Sequence, residues 1–462
     1  MIYGRIILMW LAGFSALVAV TLQFPGQISY DSSAQLYEAF TGVSISWNPP
    51  FMSALLKWLG GGEMATAMFV AINSAATYGS LMAIIGLSWR HRFSLGATLA
   101  AAAVILNPLL MCYVGIVWKD VLFGSWLVVA FVLTIAADQA RTRHNRLVLA
   151  AVAALFIAVG FFIRQQGHLI APLLLIGPLT VAWRATEERM RWIALVTIVA
   201  VFGLAAFSVN SAVTRSIKGN DGRAISTGLY AIAKFDIAGI TVQEPLKTAL
   251  ADEPGLTAQD YEQLKTHYTA MRVDFLGQLP FLQHITRGGG ERTLVSVWLN
   301  LIMAHPLAYL KHRMRVMQDL LSLHDFQGCL PTWVGIDGNA EYLSAVGMQN
   351  GVNARAAALG RYARLFFGTP IWRNWFYVLT LTCVLIYTLL RRSVPHRSII
   401  LIFAAAMMIF VLSFIPTAIA CDFRYLYPII PAVSAILLVL LSARSVPLDG
   451  TARSVPLDGN VM

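Results

Sequence analysis

The chain has 462 residues, with 34 lysines and arginines against 23 aspartates and glutamates, for a formal charge of +11. Apolar residues make up 58% and charged residues 12%, about half the charged share of a soluble domain. This composition excludes a disordered chain, a fibre and a string of soluble domains, and it predicts an all-α polytopic membrane protein.

A helical span needs about 20 apolar residues. Ile6–Leu22 is the first candidate; no small-residue cleavage site precedes Gln23, so it reads as a retained span. The outer loop that follows, residues 23–63, is unusual. It holds Ser29-Tyr30-Asp31-Ser32-Ser33 and then Trp47-Asn48-Pro49-Pro50. Ser33–Phe40 and Phe51–Trp58 read as short interfacial helices, with aromatic residues suited to the headgroup level. Asp31 has two readings: a loop aspartate in an Asx-turn with Ser33, or a general base for an acceptor hydroxyl. At an apolar boundary its pKa is expected to be raised.

Met64–Leu87 and Phe93–Leu110 are the next spans. Trp118-Lys119-Asp120 then opens Val121–Ala137. Lys119 and Asp120 form a local ion pair, or else Lys119 is a cationic contact for phosphate. Leu147–Ile163 and Leu169–Trp183 flank Arg164-Gln165-Gln166-Gly167-His168. This polar knot either caps two helix ends or touches a phosphate or sugar. Trp192–Val209 is the seventh span.

Asn210 to about Pro370 carries no convincing span and is too long for an ordinary loop. A mostly helical outer domain resting on the membrane is expected there. Thr257 and Asp260 give a first-turn capping pattern for a helix over 257–276. Tyr309–Leu321 alternates apolar and basic residues at helical spacing. Gly288-Gly289-Gly290 and Pro331 punctuate the rest. His305, His312 and His324 lack a ligand spacing and read as satisfied or exposed histidines. Trp298, Trp333 and Trp372 either stack on a sugar or anchor the domain at the interface.

Trp375–Leu390, Ile399–Ile415 and Tyr425–Leu441 bring the count to ten. Asp422-Phe423-Arg424-Tyr425 precedes the last span; Arg424 snorkels from the helix start, or it is a directed guanidinium for phosphate oxygens. The four cysteines, Cys112, Cys329, Cys383 and Cys421, have no framework spacing, so neither a disulfide framework nor a metal site is expected. The tail, 442–462, repeats SARSVPLDG as TARSVPLDG, reads as disordered and is assigned no function. The expected organisation is a membrane region over 1–209, an outer domain over 210–370, a second membrane region over 371–441 and the tail.

Basic residues orient the spans. Junctions assigned to the inner side carry thirteen arginines, among them Arg5, Arg90, Arg92 and Arg444, whereas the short outer loops carry Lys57, Lys119, Arg164 and Arg424. This bias places both termini in the cytoplasm. Arginines spread over separate inner loops also exclude a nucleic-acid surface, which gathers its cations on one face. Ten spans permit a transporter or flippase, which is the alternative function. Transport expects polar breaks near mid-membrane in related halves, and only Asn107-Pro108 and Pro172 resemble such breaks. The ionisable groups gather instead at the outer rim, where charges are expensive unless paired or functional. A non-enzymatic assembly subunit is a third class.

Taken together, Asp31 in the first outer loop, Asn48-Pro49-Pro50 where relatives often carry His-Pro-Pro, Trp118-Lys119-Asp120, and Asp422-Phe423-Arg424-Tyr425 with Pro428 resemble the GT-C superfamily of integral-membrane glycosyltransferases. The likeness is to bacterial members that use polyprenyl-phosphate-linked sugars, and it runs through about Leu441. It implies inverting transfer of a sugar from that donor to an envelope glycolipid or polysaccharide, at the outer face of a bacterial inner membrane. Asp31 is then similar to the family's catalytic base. Arg424 contacts the donor phosphate, helped by Lys119 or Arg164. Tyr30, Asn48, Asp120, Gln165, His168, Asp422 and Tyr425 support them. No DxD pair is present beside Asp31, which fits metal-independent relatives. The implied partners are the lipid-linked donor, the acceptor and membrane lipids, with no cofactor and no nucleic acid.

Overall fold

A computed structural model describes residues 2–89, 94–219, 223–252, 256–277, 279–283, 291–324, 326 and 328–443. Arg90, Arg92, Gly288-Gly289-Gly290, Arg444 and the tail from residue 444 lie outside the described residues. The protein is an all-α polytopic membrane protein with a helical outer region. The first span is α1 (Ile2–Gln23), and the outer loop after it folds into α2 (Tyr30–Thr41) and α3 (Phe51–Trp58). Next come α4 (Gly62–Ser88), the pair α5 (Leu95–Ile105) and α6 (Pro108–Tyr113), then α7 (Lys119–Gln139), α8 (Arg143–Ile163), α9 (Gly167–Ala185) and α10 (Glu188–Ser216). The outer region contains α11 (Arg223–Thr241), α12 (Leu246–Asp252), α13 (Ala258–His267), α14 (Glu291–Ala304), α15 (Pro306–Leu320), α16 (Ala340–Ala345) and α17 (Ala354–Arg364). The chain returns through α18 (Asn374–Leu390), α19 (Arg397–Thr417) and α20 (Ile429–Ala443).

Among the described residues, nine spans are long and apolar enough to cross a membrane. The tenth expected span is α18, which has 17 residues and is ~26 Å long at 1.5 Å per residue, the short end of the range. The outer region departs from expectation first in a bent helix pair. Leu294–Ala304 and Pro306–Leu320 together have the apolarity of a span, but the chain bends 103° between them. Pro306 opens α15 at a position where its missing N–H loses no helical bond.

Sequence signals explain several boundaries. Asn107 caps α6 by accepting from the Leu109 N–H (3.0 Å), with Pro108 at the first helical position. The Asn107 amide donates to the Tyr377 hydroxyl on α18 (2.9 Å), so this break is satisfied within the bundle. The capping box at Thr257 and Asp260 is present, yet α13 stops at His267. The helix expected to run to 276 ends early because the following residues pair with the loop before the last span. Val273 N donates to Ile419 O and Cys421 N donates to Met271 O, each at 2.9 Å. A tertiary pairing thus overrides local helical preference.

Helices approach closely where side chains are small. A Cβ added at Gly124 on α7 would lie 3.0 Å from Pro428 Cα. This contact seats the entrance of the last span against α7. The hydroxyls of Thr77 on α4 and Ser125 on α7 meet at 2.9 Å.

The outer surface is stitched together by isolated β-bridges. Gln27 pairs with Ile116, Ile28 with Ile336, and Arg272 with Ala420. These short pairings gather the first loop, the entrance of α7, the outer region and the loop before α20 at one place.

The expectation about cysteines is corrected: Cys329 and Cys421 form a disulfide, with Cα atoms 5.3 Å apart and a sequence separation of 92. Spacing along the chain carried no signal because the two sulfurs meet only through the tertiary fold. A Cys329→Ser, Cys421→Ser double variant is expected to melt at a lower temperature in detergent, with a stability loss of up to about 5 kcal/mol on loop-closure entropy. An unchanged melting curve would show that the bond holds nothing in place.

Candidate active site

Asp31 stands in the first turn of α2, where the helix N-terminus favours a carboxylate. Ser29 precedes the helix in extended conformation, and its hydroxyl accepts from the Trp118 indole N–H (2.7 Å). The Ser32 hydroxyl donates to Val117 O (2.6 Å). These two bonds tie the start of α2 to the entrance of α7. The far end of α2 is held by Glu38, fully buried, whose carboxylate accepts from Ile45 N (2.8 Å), Ser46 N (2.6 Å) and the Ser53 hydroxyl (2.5 Å). The short outer helix is thereby fixed at both ends.

Arg424 closes the arrangement. Its guanidinium pairs with Asp31 at 2.6 Å and lies 3.5 Å from Asp422. It also stacks over the Trp118 ring at 4.8 Å. Asp422 is held from the other side by Arg272 of the outer region at 2.9 Å, and Arg272 reaches Asp274 at 3.3 Å. Two residues nearly four hundred positions apart thus form a direct ion pair. They line a cavity of about 320 Å³, walled by Tyr30, Trp47, Trp118, Trp333 and Tyr425.

The environment of Asp31 differs from the raised pKa expected. Burial pushes its carboxyl up, but the charges of Arg424 and Lys119, with the Arg424 hydrogen bond, outweigh burial and hold it below the ordinary 3.8. Asp422 goes the other way: burial raises it above 3.8 despite Arg424 and Arg272. Nor does Asp31 form an Asx-turn with Ser33, whose backbone N–H donates to Ser29 O instead (2.9 Å).

A second cavity, of about 380 Å³, adjoins the first and shares Trp47, Ile419 and Tyr425 with it. It is mostly apolar, bounded by Leu229 and Ile232 of α11 and Phe414 of α19, with Lys119, Arg164, Gln165 and His168 along its polar side. Lys119 donates to the Asn48 side-chain oxygen (2.5 Å) and lies over the Trp47 ring at 5.2 Å. Among the described residues it has no carboxylate partner within salt-bridge distance. Asp120, its neighbour, pairs with Arg164, both almost fully buried. The expected local Lys119–Asp120 pair is therefore replaced by a pair between α7 and the α8–α9 turn. Arg164 also donates to Tyr425 O (3.3 Å) and stacks on Phe410 and Phe414. His168 donates from Nδ1 to Gln165 O (3.0 Å).

Tyr30, Asp31, Asp422 and Arg424 thus meet in one cavity, Lys119, Arg164, Gln165 and His168 in the other, with Tyr425 between and Asn48 held to Lys119. Trp333 lines the Asp31 cavity and donates to Ile28 O (2.8 Å). The other two tryptophans do not face it: Trp372 is wholly buried and donates to Pro331 O (3.0 Å), and Trp298 donates to Asp236 (2.8 Å). His312 is buried beside Asp236 (3.0 Å), His305 meets Glu244 (3.3 Å) and His324 meets Asp319 (3.1 Å). No three metal-binding side chains converge among the described residues. Arg272 escaped the sequence reading because nothing around it distinguishes it from other outer-region arginines.

No family model and no curated protein sequence matches the chain. Solved structures do. The archaeal oligosaccharyltransferase AglB from Archaeoglobus fulgidus, in complex with an inhibitory peptide and a dolichol-phosphate, aligns with a TM-score of 0.40 and 14% identity over 94% of this chain and 50% of that one. ArnT from Cupriavidus metallidurans bound to undecaprenyl phosphate aligns at 0.36 and 12%, over 94% and 77%. The arabinosyltransferase EmbB from Mycobacterium smegmatis aligns at 0.33 and 14%, over 88% and 40%. The chain spans about half the length of the archaeal oligosaccharyltransferase.

Proposed function

We propose that the protein is an integral-membrane glycosyltransferase that moves a sugar from a polyprenyl-phosphate donor to an envelope glycolipid or polysaccharide, on the outer side of a bacterial inner membrane. The observation that carries this reading is the Asp31–Arg424 pair in a polar cavity that shares Trp47, Ile419 and Tyr425 with an apolar groove lined on its polar side by Lys119. The lipid tail lies in the groove. Its phosphate sits near Lys119 and, across the neck formed by Trp47 and Tyr425, Arg424. The sugar enters the Asp31 cavity, where the aromatic walls take its apolar faces.

Asp31 accepts the proton of an acceptor hydroxyl. The hydroxyl oxygen forms a bond to the anomeric carbon, and the bond from that carbon to the phosphate oxygen breaks. The electron pair leaves with lipid phosphate, whose charge Lys119 stabilises. A single displacement inverts the anomeric carbon. Arg164, already paired with Asp120, serves this site by holding α7 to the α8–α9 turn and Tyr425 rather than by offering an uncommitted charge.

The reading is tested with the purified full chain in lipid nanodiscs, given labelled polyprenyl-phosphate sugars and glycolipid acceptors. Acceptor-dependent release of lipid phosphate is expected, and its absence across neutral hexose and pentose donors would reject the reading. A pH profile tests the base assignment. Because the Asp31 pKa is depressed, its carboxylate form persists above that lowered value and disappears only as pH falls through it. The acid limb of kcat/KM due to Asp31 is therefore expected below 3.8. In Arg424→Gln the largest opposing charge is lost while burial and the charge of Lys119 remain, so the limb moves upward. A limb that stays put would separate Arg424 from the base.

A further inference from the structure

The two cavities differ in charge. Among the described side chains lining the Asp31 cavity, the carboxylates Asp31, Asp274 and Asp422 face the guanidiniums of Arg272 and Arg424. Both guanidiniums are committed: Arg424 to Asp31 (2.6 Å) and Asp422 (3.5 Å), Arg272 to Asp422 (2.9 Å) and Asp274 (3.3 Å). If Asp422 carries a proton, two carboxylates still match two guanidiniums, and no positive charge is left over. The remaining wall is aromatic, and ring faces carry partial negative charge. The next cation, Lys119, lies beyond the Trp47–Tyr425 neck, on the groove side.

We propose that this division of charge selects the class of sugar transferred: the Asp31 cavity admits an uncharged glycosyl unit and rejects one that bears a carboxylate, while the donor's single phosphate is held outside the cavity at Lys119. The proposal rests on the transferase reading of the same site. An anionic sugar would have to displace an aspartate from its arginine or stand unpaired beside three carboxylates, and either is unfavourable where water is scarce. A neutral sugar meets no such penalty. It offers hydroxyl donors to the carboxylates and apolar faces to the tryptophans. Selection of this kind works by repulsion of the wrong substrate as much as by attraction of the right one.

Asp274 gives the means of testing it. It is the most exposed of the three carboxylates, with 67% of its side chain accessible, and it belongs to the outer wall away from Asp31's proposed chemistry. Binding to the detergent-solubilised full chain is followed by tryptophan fluorescence, with two short-chain polyprenyl-phosphate donors that differ only at C6, a hexose and the matching hexuronic acid. The hexose donor is expected to bind about tenfold tighter or more. In Asp274→Asn, checked for folding by its melting curve, the cavity loses one of its three carboxylates while Arg272 stays paired with Asp422, so the repulsion of an anionic sugar weakens and the preference shrinks severalfold. Equal binding of the two donors, or an unaltered preference in Asp274→Asn, overturns the proposal. Transfer is scored separately. Discrimination in binding without transfer of the hexose rejects the transferase reading and leaves the selectivity standing. Equal binding with transfer rejects the selectivity and leaves the transferase. Binding of neither donor rejects both.

Discussion

Replacing Asp31 by Asn is expected to reduce sugar transfer between about one hundred and ten thousand fold, the range assigned to a positioned general base, while the protein stays folded. The amide keeps the size of the side chain and its place in the first turn of α2. What it loses is the ability to take a proton. Arg424 remains held by Asp422 and by the Trp118 face, so the cavity does not collapse around an orphaned guanidinium. The measurement is the initial rate of acceptor-dependent lipid phosphate release, with the melting temperature in detergent as control. A folded Asp31→Asn protein that transfers sugar within a few fold of the parent would remove Asp31 from the base role. The loss should also persist at every pH above the parent's acid limb, since an amide cannot be titrated to a carboxylate.

The second large effect concerns stability. Arg164 and Asp120 form an ion pair whose side chains are 4% and 1% exposed. Arg164→Leu leaves Asp120 buried without its ion-pair partner, and breaking such a pair from one side costs about 3–5 kcal/mol. A steep fall in thermal stability is expected. The double variant Arg164→Leu, Asp120→Leu should recover most of it, because two apolar groups of similar volume suit that environment at least as well as the pair. Activity separates the two roles suggested for Arg164. If it only braces the site, the double variant regains transfer together with stability. Recovery of stability without transfer would place the guanidinium on the phosphate itself.

Much of this architecture was legible in the sequence because membranes impose a strong one-dimensional rule. Apolar stretches of the right length declared the spans, and the rim charges Asp31, Lys119, Arg164, Asp422 and Arg424 stood out because polar groups are scarce at that depth. Capping chemistry was equally readable, as at Thr257 and Asp260, since it depends on residues three apart. Pairing was not readable. Lys119 and Asp120 are neighbours in sequence and suggested a local pair, yet Asp120 faces Arg164 across helices. Arg272 carries no local signal and reaches the site only because residues 271–273 pair with 419–421.

The sequence by itself determined that this chain lives in a bilayer, which stretches are apolar enough to cross it, and which ionisable groups stand at the ends of those stretches, because hydration of apolar and charged groups depends on composition over a window of about 20 residues. Only the tertiary structure decided who meets whom. It set Asp31 against Arg424, gave Arg164 to Asp120, joined Cys329 to Cys421 and set the aromatic cavity beside the apolar groove. Those choices follow from helix packing and a few backbone bridges between segments tens to hundreds of residues apart, and such contacts leave no period or spacing in the chain. The depressed pKa of Asp31 is the clearest case: burial alone pushes it up, and only the arrival of Arg424 and Lys119 from distant helices reverses the sign.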